Sequence, residues 1–477
     1  MSTPVVPDVP GASGVDRLRL RALLEREQAA FVTRNPRSAE AYARADSLFG
    51  QVPMTWMNKT SAHFPLYLAT ARGAHLTDID GHDYVDFSLG DTGSMAGHSP
   101  AAVTEAVRRR VEDLGGLAVM LPTEQAEDAG AHLAGRFGLP RWSFSLTATD
   151  ANRWAIRLAR AVTDRPKILV NSYCYHGSVD ESLIVTAEGT EGEPRPGNVG
   201  APVPVTETSR VAEFNDLEGL ERELAHGDVA AVLMEPALTN IGIVLPEPGY
   251  LDGVRELTRR FGTLLINDET HTFCAGPRGA TKAWDLDPDI ITIGKAIGGG
   301  IPAGAYGLSA QLADRLLGRE DLDLVDMGGV GGTLAGNALS IAAVCATLGE
   351  VLTDDAFARM HALAERFETG VAEVIAKHQL PWSVTRLGAR VEYRFADPAP
   401  RTGTEAAGVH DQELDDYLHT YLANRGILMT PFHNMALMSP ATTSQDVDLH
   451  SRLFADAIAD LVGDDPAPAH VPVPSAP

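Results

Sequence analysis

The chain has 477 residues, 44% of them hydrophobic and 22% charged, a globular balance that excludes wholesale disorder and fits two or three domains at roughly 150 residues each. Its 39 Lys+Arg against 64 Asp+Glu leave a net charge of −25. That excess repels phosphate backbones and anionic lipid, so neither nucleic acid nor a membrane is an expected partner, although an acidic surface also simply keeps a protein in solution.

No apolar run reaches the ~20 residues of a membrane span, and the Pro- and Val-rich start shows no basic-then-apolar leader pattern. Three cysteines, Cys174, Cys274 and Cys345, form no disulfide framework and have no metal-ligand spacing, so a reduced, cytoplasmic setting with no metal is expected. Segments 1–14 and 463–477, rich in Pro, Gly and Ala, read as flexible tails. A helix is expected over 15–34, where Leu18, Leu20, Leu23, Leu24 and Phe31 fall mostly on one face. Strands at 76–81 and 84–87 flank an Asp-Gly turn, and 100–114 reads as a helix. Then apolar runs at 167–170, 230–234, 263–267 and 290–293 alternate with amphipathic stretches such as 216–225 and 248–260. Near-continuous Val, Ile and Leu marks strands buried on both faces, and the alternation marks a mostly parallel sheet wrapped by helices. A helical region at 337–377, a strand near 383–395 and helices at 412–425 and 445–462 complete a separate α+β unit. The expected division is a large domain at 76–336, with 15–75 and 337–462 forming a smaller one.

The chemistry concentrates between 263 and 300. One buried strand delivers Asp268 at its carboxyl end, and a second ends in Lys295 before Gly298-Gly299-Gly300. Ligands of open α/β sheets bind outside the carboxyl ends of strands, so both side chains arrive at the ligand edge. A lone lysine there is commonly just solvated. A lysine and an acid together suit pyridoxal phosphate: the lysine forms a Schiff base, and the acid keeps the pyridine nitrogen protonated. Hydroxyls and free N–H groups at Thr147-Ala148-Thr149-Asp150 open a helix and offer either a phosphate cradle or a plain helix cap. Tyr175 follows another strand and offers a ring for stacking, or a core aromatic.

The ordered set LTATDAN, YCYHG, VLMEP, LLINDETHTF, IITIGKAIGGG and GGTLAGN resembles class III pyridoxal-phosphate aminotransferases, within them the glutamate-1-semialdehyde aminomutase branch, from about 42 to 462. The resemblance implies a fold-type I α/β transferase and a homodimer with shared active sites. It makes Lys295 the Schiff-base lysine and Asp268 the pyridinium partner. Tyr175 and the neighbouring His176 fall at the ring, Ala148 and Thr149 at the phosphate, and Thr270 under the pyridine. Thr333 matches a threonine reaching the other subunit's phosphate, and Glu235 and Asn240 match site-lining positions. This chain departs from the family at Ala148 for glycine, Asp150 for glutamate and Thr270 for valine. An arginine common after the strand-end acid is replaced by the run Phe273-Cys274-Ala275.

Carboxylates are best gripped by a bidentate arginine. None lies in 54–59, which holds Trp56 and Met57, or in 429–434, which holds Phe432. The expectation is a hydrophobic pocket and an aminotransferase moving an amino group from a hydrophobic amine, or a non-standard amino acid, to a 2-oxo acid such as pyruvate in two half-reactions. Two alternatives stand beside it: grip by Arg386, Arg390, Arg394 or Arg401, and intramolecular exchange as in the aminomutase branch.

Overall fold

The computed structural model describes residues 13–189, 191–322 and 328–463. The tails expected at 1–14 and 463–477 lie outside the described residues except for Ser13, Gly14 and Gly463.

A seven-stranded sheet runs in the order Arg141–Ser145, Gly304–Leu308, Ile290–Ile293, Leu264–Asp268, Val229–Met234, Lys167–Asn171 and Ser209–Ala212. Gly304–Leu308 alone is antiparallel to its neighbours, while the other pairings are parallel. Parallel neighbours need crossovers, and the amphipathic stretches supply them: helix Leu217–Leu224 precedes Val229–Met234, and helix Tyr250–Phe261 leads to Leu264–Asp268. Each helix has a local start or stop. The Asp216 side chain accepts from Gly219 N at the first, and Gly262, at φ 64°, ends the second. All six residues of Val229–Met234 are buried, as the unbroken apolar run requires.

Registry decides where the chemistry goes. Asp268 lies opposite Thr292 and Asn267 opposite Met234, so three strands release Glu235, Asp268 and Lys295 on one edge of the sheet.

A smaller three-stranded antiparallel sheet, Ser383–Leu387, Arg390–Arg394 and Met435–Leu437, packs on helix Asp354–Lys377, which also packs on Ser444–Val462. The strand expected near 383–395 is thus a hairpin, because Gly388, at φ 58°, turns the chain. The helix expected over 100–114 is α-helical only from Ala101 to Arg109 and widens into a π-turn over Arg110–Leu114 before Gly115. The N-terminal helix, Arg17–Arg34, buries Leu20, Leu23 and Phe31 against the C-terminal helices. It is pinned there by Arg17–Asp411 at 2.9 Å, Arg26–Asp460 at 2.8 Å and Arg425–Glu27 at 2.9 Å. No described helix is long and apolar enough to cross a membrane.

Candidate active site

Asp268 is the best-held acid of the sheet edge. It is buried, and its Oδ2 accepts from His176 Nδ1 at 2.9 Å and Asn152 Nδ2 at 2.8 Å, while Oδ1 accepts from Thr270 N at 3.0 Å. Burial alone would push this carboxyl up, but the hydrogen bond and charge of His176, with Thr270 and Asn152, bring it down to about 2. For His176, burial opposes a positive charge, yet Cys174 and the Asp268 carboxylate outweigh it and hold the imidazole well above its ordinary value. Asn152 is itself fixed: it donates to His176 O at 3.1 Å and accepts from Thr292 Oγ1 at 2.6 Å. The result is an ionised carboxylate aimed outward from a dry, tightly bonded base.

Beside it, helix Ala148–Thr163 opens with Thr147 as its cap, the Thr147 Oγ1 accepting from Asp150 N at 3.1 Å. Thr149 Oγ1 accepts from Ser178 N at 3.3 Å. The approach of the chains here demands glycine. A Cβ on Gly177, at φ 80°, would lie 1.9 Å from Thr149 Oγ1, and one on Gly294 would lie 2.8 Å from Ala148 N. Tyr175, 39% exposed, stands over this edge, and its N–H donates to Glu235 Oε1 at 3.4 Å. Glu235 also accepts from Thr239 Oγ1, and burial raises its carboxyl above the ordinary value. Asn240 Oδ1 accepts from Arg195 Nη2 at 2.9 Å.

Lys295 follows its strand in the left-handed region, at φ 48°. Its Nζ lies 2.8 Å from Asp91 Oδ2 and 2.8 Å from His271 Nε2. His271 Nδ1 in turn lies 2.9 Å from Thr92 Oγ1, which also accepts from Arg390 Nη2. Sequence reasoning passed over Asp91, Thr92 and His271 in this role. The signal was present for two of them: Asp91 sits in a glycine-punctuated turn after strand Asp83–Asp86, and His271 comes three residues after the strand-end acid. Asn152 was inside a motif already singled out.

The expected substrate-side residues form a second group. Trp56 and Phe432 meet edge to face with ring centroids 6.4 Å apart, and Lys59 Nζ sits 5.4 Å over the Phe432 ring. Met57 is part-exposed beside Trp56. Thr333 is exposed in the single chain. Of the four arginines considered for a carboxylate grip, Arg386, Arg394 and Arg401 face Glu368, Glu392 and Glu247. Arg390 is fully buried behind Thr92.

Comparison with known proteins places the chain. The family model described as Aminotransferase class-III matches residues 56–459. A glutamate-1-semialdehyde 2,1-aminomutase of Chloroflexus aggregans is 33% identical over 83% of this chain and 91% of its own. The crystal structure of a glutamate-1-semialdehyde-aminomutase variant from Pseudomonas aeruginosa PAO1, in complex with PMP, superposes with a TM-score of 0.90 at 46% identity over 94% of this chain and 100% of that one. An omega-transaminase from Sphaerobacter thermophilus follows at TM-score 0.81 and 30% identity, over 90% of this chain and 99% of that one. These likenesses overturn the expected transfer from a hydrophobic amine to a separate 2-oxo acid, since the stronger matches in sequence and in shape are aminomutases. The physical reason lies in the missing-arginine argument, which searched two segments for one residue type. Folding instead sets Lys59 over Phe432 and Arg195 on Asn240, so the presumed apolar pocket carries cations.

Proposed function

The chain belongs to the class-III aminotransferases, and from that premise we propose that it is a pyridoxal-phosphate enzyme of the glutamate-1-semialdehyde aminomutase type. Such an enzyme exchanges an amino and an oxo group between neighbouring carbons of one small substrate. The observation that carries the reading is the full-length agreement, 46% identity at TM-score 0.90, with the Pseudomonas aeruginosa PAO1 aminomutase.

The site's own atoms fit the cofactor. Thr270 Oγ1 and His176 Nε2 are buried without a hydrogen-bond partner, and the crowding at Gly177 and Gly294 leaves a tight cradle beside a helix N-terminus. Bound there, the group supplies an electron sink for the charge left when a substrate carbon loses its proton. Lys295 would hold it covalently. Asp268, kept ionised by His176 and Asn152, would hold a proton at its ring nitrogen. Ala148 and Thr149 would meet the phosphate, and Tyr175 and Thr270 would enclose the ring. Glu235 and Asn240 would line the substrate side, with Trp56, Met57 and Phe432 excluding water. Freed Lys295 would carry the proton from one substrate carbon to the next.

The same reading includes a homodimer in the cytoplasm, in which Thr333 serves the partner subunit's phosphate, and the division of the chain into 76–336 and the paired segments 15–75 and 337–462. A separate 2-oxo acid has no place in it. The test is to give the cofactor-loaded protein glutamate 1-semialdehyde alone and follow 5-amino-4-oxopentanoate. Product should form at the same rate with and without pyruvate, and Lys295→Ala should form none. Product that appears only as pyruvate is consumed would overturn the reading.

A further inference from the structure

The cluster behind Lys295 does more than fill space, and its interpretation rests on Lys295 being the residue that holds the cofactor. We propose that His271 is a positioning residue that keeps the Lys295 amine hydrogen-bonded in both of its proton states by exchanging tautomers against Thr92. Arg390 holds the threonine hydroxyl in place for that exchange.

The hydrogen-bond inventory leads there directly. Thr92 Oγ1 accepts from Arg390 Nη2 with one lone pair and keeps one O–H and one further lone pair for His271 Nδ1, 2.9 Å away. When Nζ is an ammonium it donates to a bare Nε2 at 2.8 Å. The ring proton then sits on Nδ1 and goes to the threonine oxygen. When Nζ is a free amine, Nε2–H donates to its lone pair, and the threonine O–H turns to Nδ1. Asp91 Oδ2, at 2.8 Å, accepts from Nζ in either case. Nζ and both ring nitrogens of His271 are paired in both states, and the ring never becomes charged. Such a neighbour suits a lysine that picks up and gives back a proton during turnover, because a fixed donor or a fixed acceptor would match only one of its two states.

Three further observations agree. Burial, then the positive charges of Lys295 and Arg390, hold the His271 imidazole well below its ordinary value against the opposing charges of Asp91 and Asp268. Asp91 and Thr92 stand at φ 48° and 81°, a backbone strongly disfavoured for a β-branched threonine, and strain of this kind persists where a side chain must be aimed. Arg390 is fully buried, with Nε and Nη1 lacking partners, so its link to Thr92 is the bond that orients it.

The test uses apoenzyme and two threonine variants of nearly equal shape. Stopped-flow absorbance would follow capture of pyridoxal phosphate by Lys295 across pH. Thr92→Val, which removes the hydroxyl, and His271→Leu should slow capture by about tenfold or more, while Thr92→Ser stays near wild type. On apoenzyme carrying 15N-histidine, the His271 ring nitrogens should exchange their donor and acceptor signals as pH rises, with no imidazolium. Capture by Thr92→Val at the wild-type rate at every pH, or a single tautomer throughout, would overturn the proposal. A wild-type chain that captures no pyridoxal phosphate would remove the assignment of Lys295. The ring-nitrogen signals, read without cofactor, would still decide whether the tautomers exchange.

Discussion

Replacing His176 with leucine is the sharpest perturbation of the cofactor edge. The imidazole is buried and donates to Asp268 Oδ2 at 2.9 Å. It contributes the largest of the favourable interactions that offset burial and bring the Asp268 carboxyl from 3.8 to about 2. A depression of roughly 2 units corresponds to about 2–3 kcal/mol of folding stability. A carboxyl lowered in the folded state contributes that stability above its ordinary value and loses it as pH falls through the folded value, so Asp268's share fades between roughly pH 4 and pH 2. His176 has the opposite sign. Its raised folded value gives stability that is complete below about pH 6.5 and lost as pH climbs through that folded value. The two contributions overlap at about pH 5. Urea unfolding of the apoenzyme should therefore show His176→Leu less stable by about 2–3 kcal/mol at pH 5, with a smaller difference near pH 2. The same variant should bind pyridoxal phosphate more weakly at neutral pH, because Asp268 is no longer reliably ionised. An unfolding difference that is flat between pH 5 and pH 2, or undiminished cofactor affinity, would refute the reasoning.

Gly177→Ala should cost about 1–2 kcal/mol from its left-handed backbone alone and push Thr149 out of the cradle. Its readout is cofactor affinity by absorbance titration, which should fall at least tenfold. Burial raises the Asp415 carboxyl to about 7, so the folded protein binds that proton more tightly than the unfolded chain and loses stability as pH rises from about 4 to about 7. Asp415→Asn should then raise stability at pH 8 by at most about 4 kcal/mol and leave it unchanged near pH 4, as thermal unfolding at the two pH values would show.

Much of this architecture is legible in the chain because its strongest signals are local. The strand runs ending at Asn171, Met234, Asp268 and Ile293 are built mainly of Val, Ile, Leu and Ala and are almost wholly buried, and no surface element needs such a pattern. Lys295 and Asp268 follow, since a strand's carboxyl end fixes where its next residues point. What the chain does not display is distance across it. Asp91 and Thr92 reach Lys295 and His271 only once the turn after strand Asp83–Asp86 folds against the sheet edge, and Arg390 comes from a hairpin nearly 300 residues beyond Thr92. The substrate reading erred for the same reason. It asked which segment lacked arginine, whereas the cations beside Phe432 and Asn240 come from Lys59 and Arg195, each remote in sequence from the residue it meets.

The N-terminal helix has a consequence for how the molecule is made. Its partners Asp411 and Asp460 lie 394 and 434 residues further along. At ~5–20 residues per second of synthesis, the helix waits on the order of 20–80 s for the surface that covers it. Throughout that interval Leu20 and Leu23 lack the C-terminal helices they pack on, while Phe31 can already meet Phe64. The helix is therefore made long before the surface that shelters it. Changes that make its apolar face stickier will reduce the yield of assembled protein even when the finished fold tolerates them.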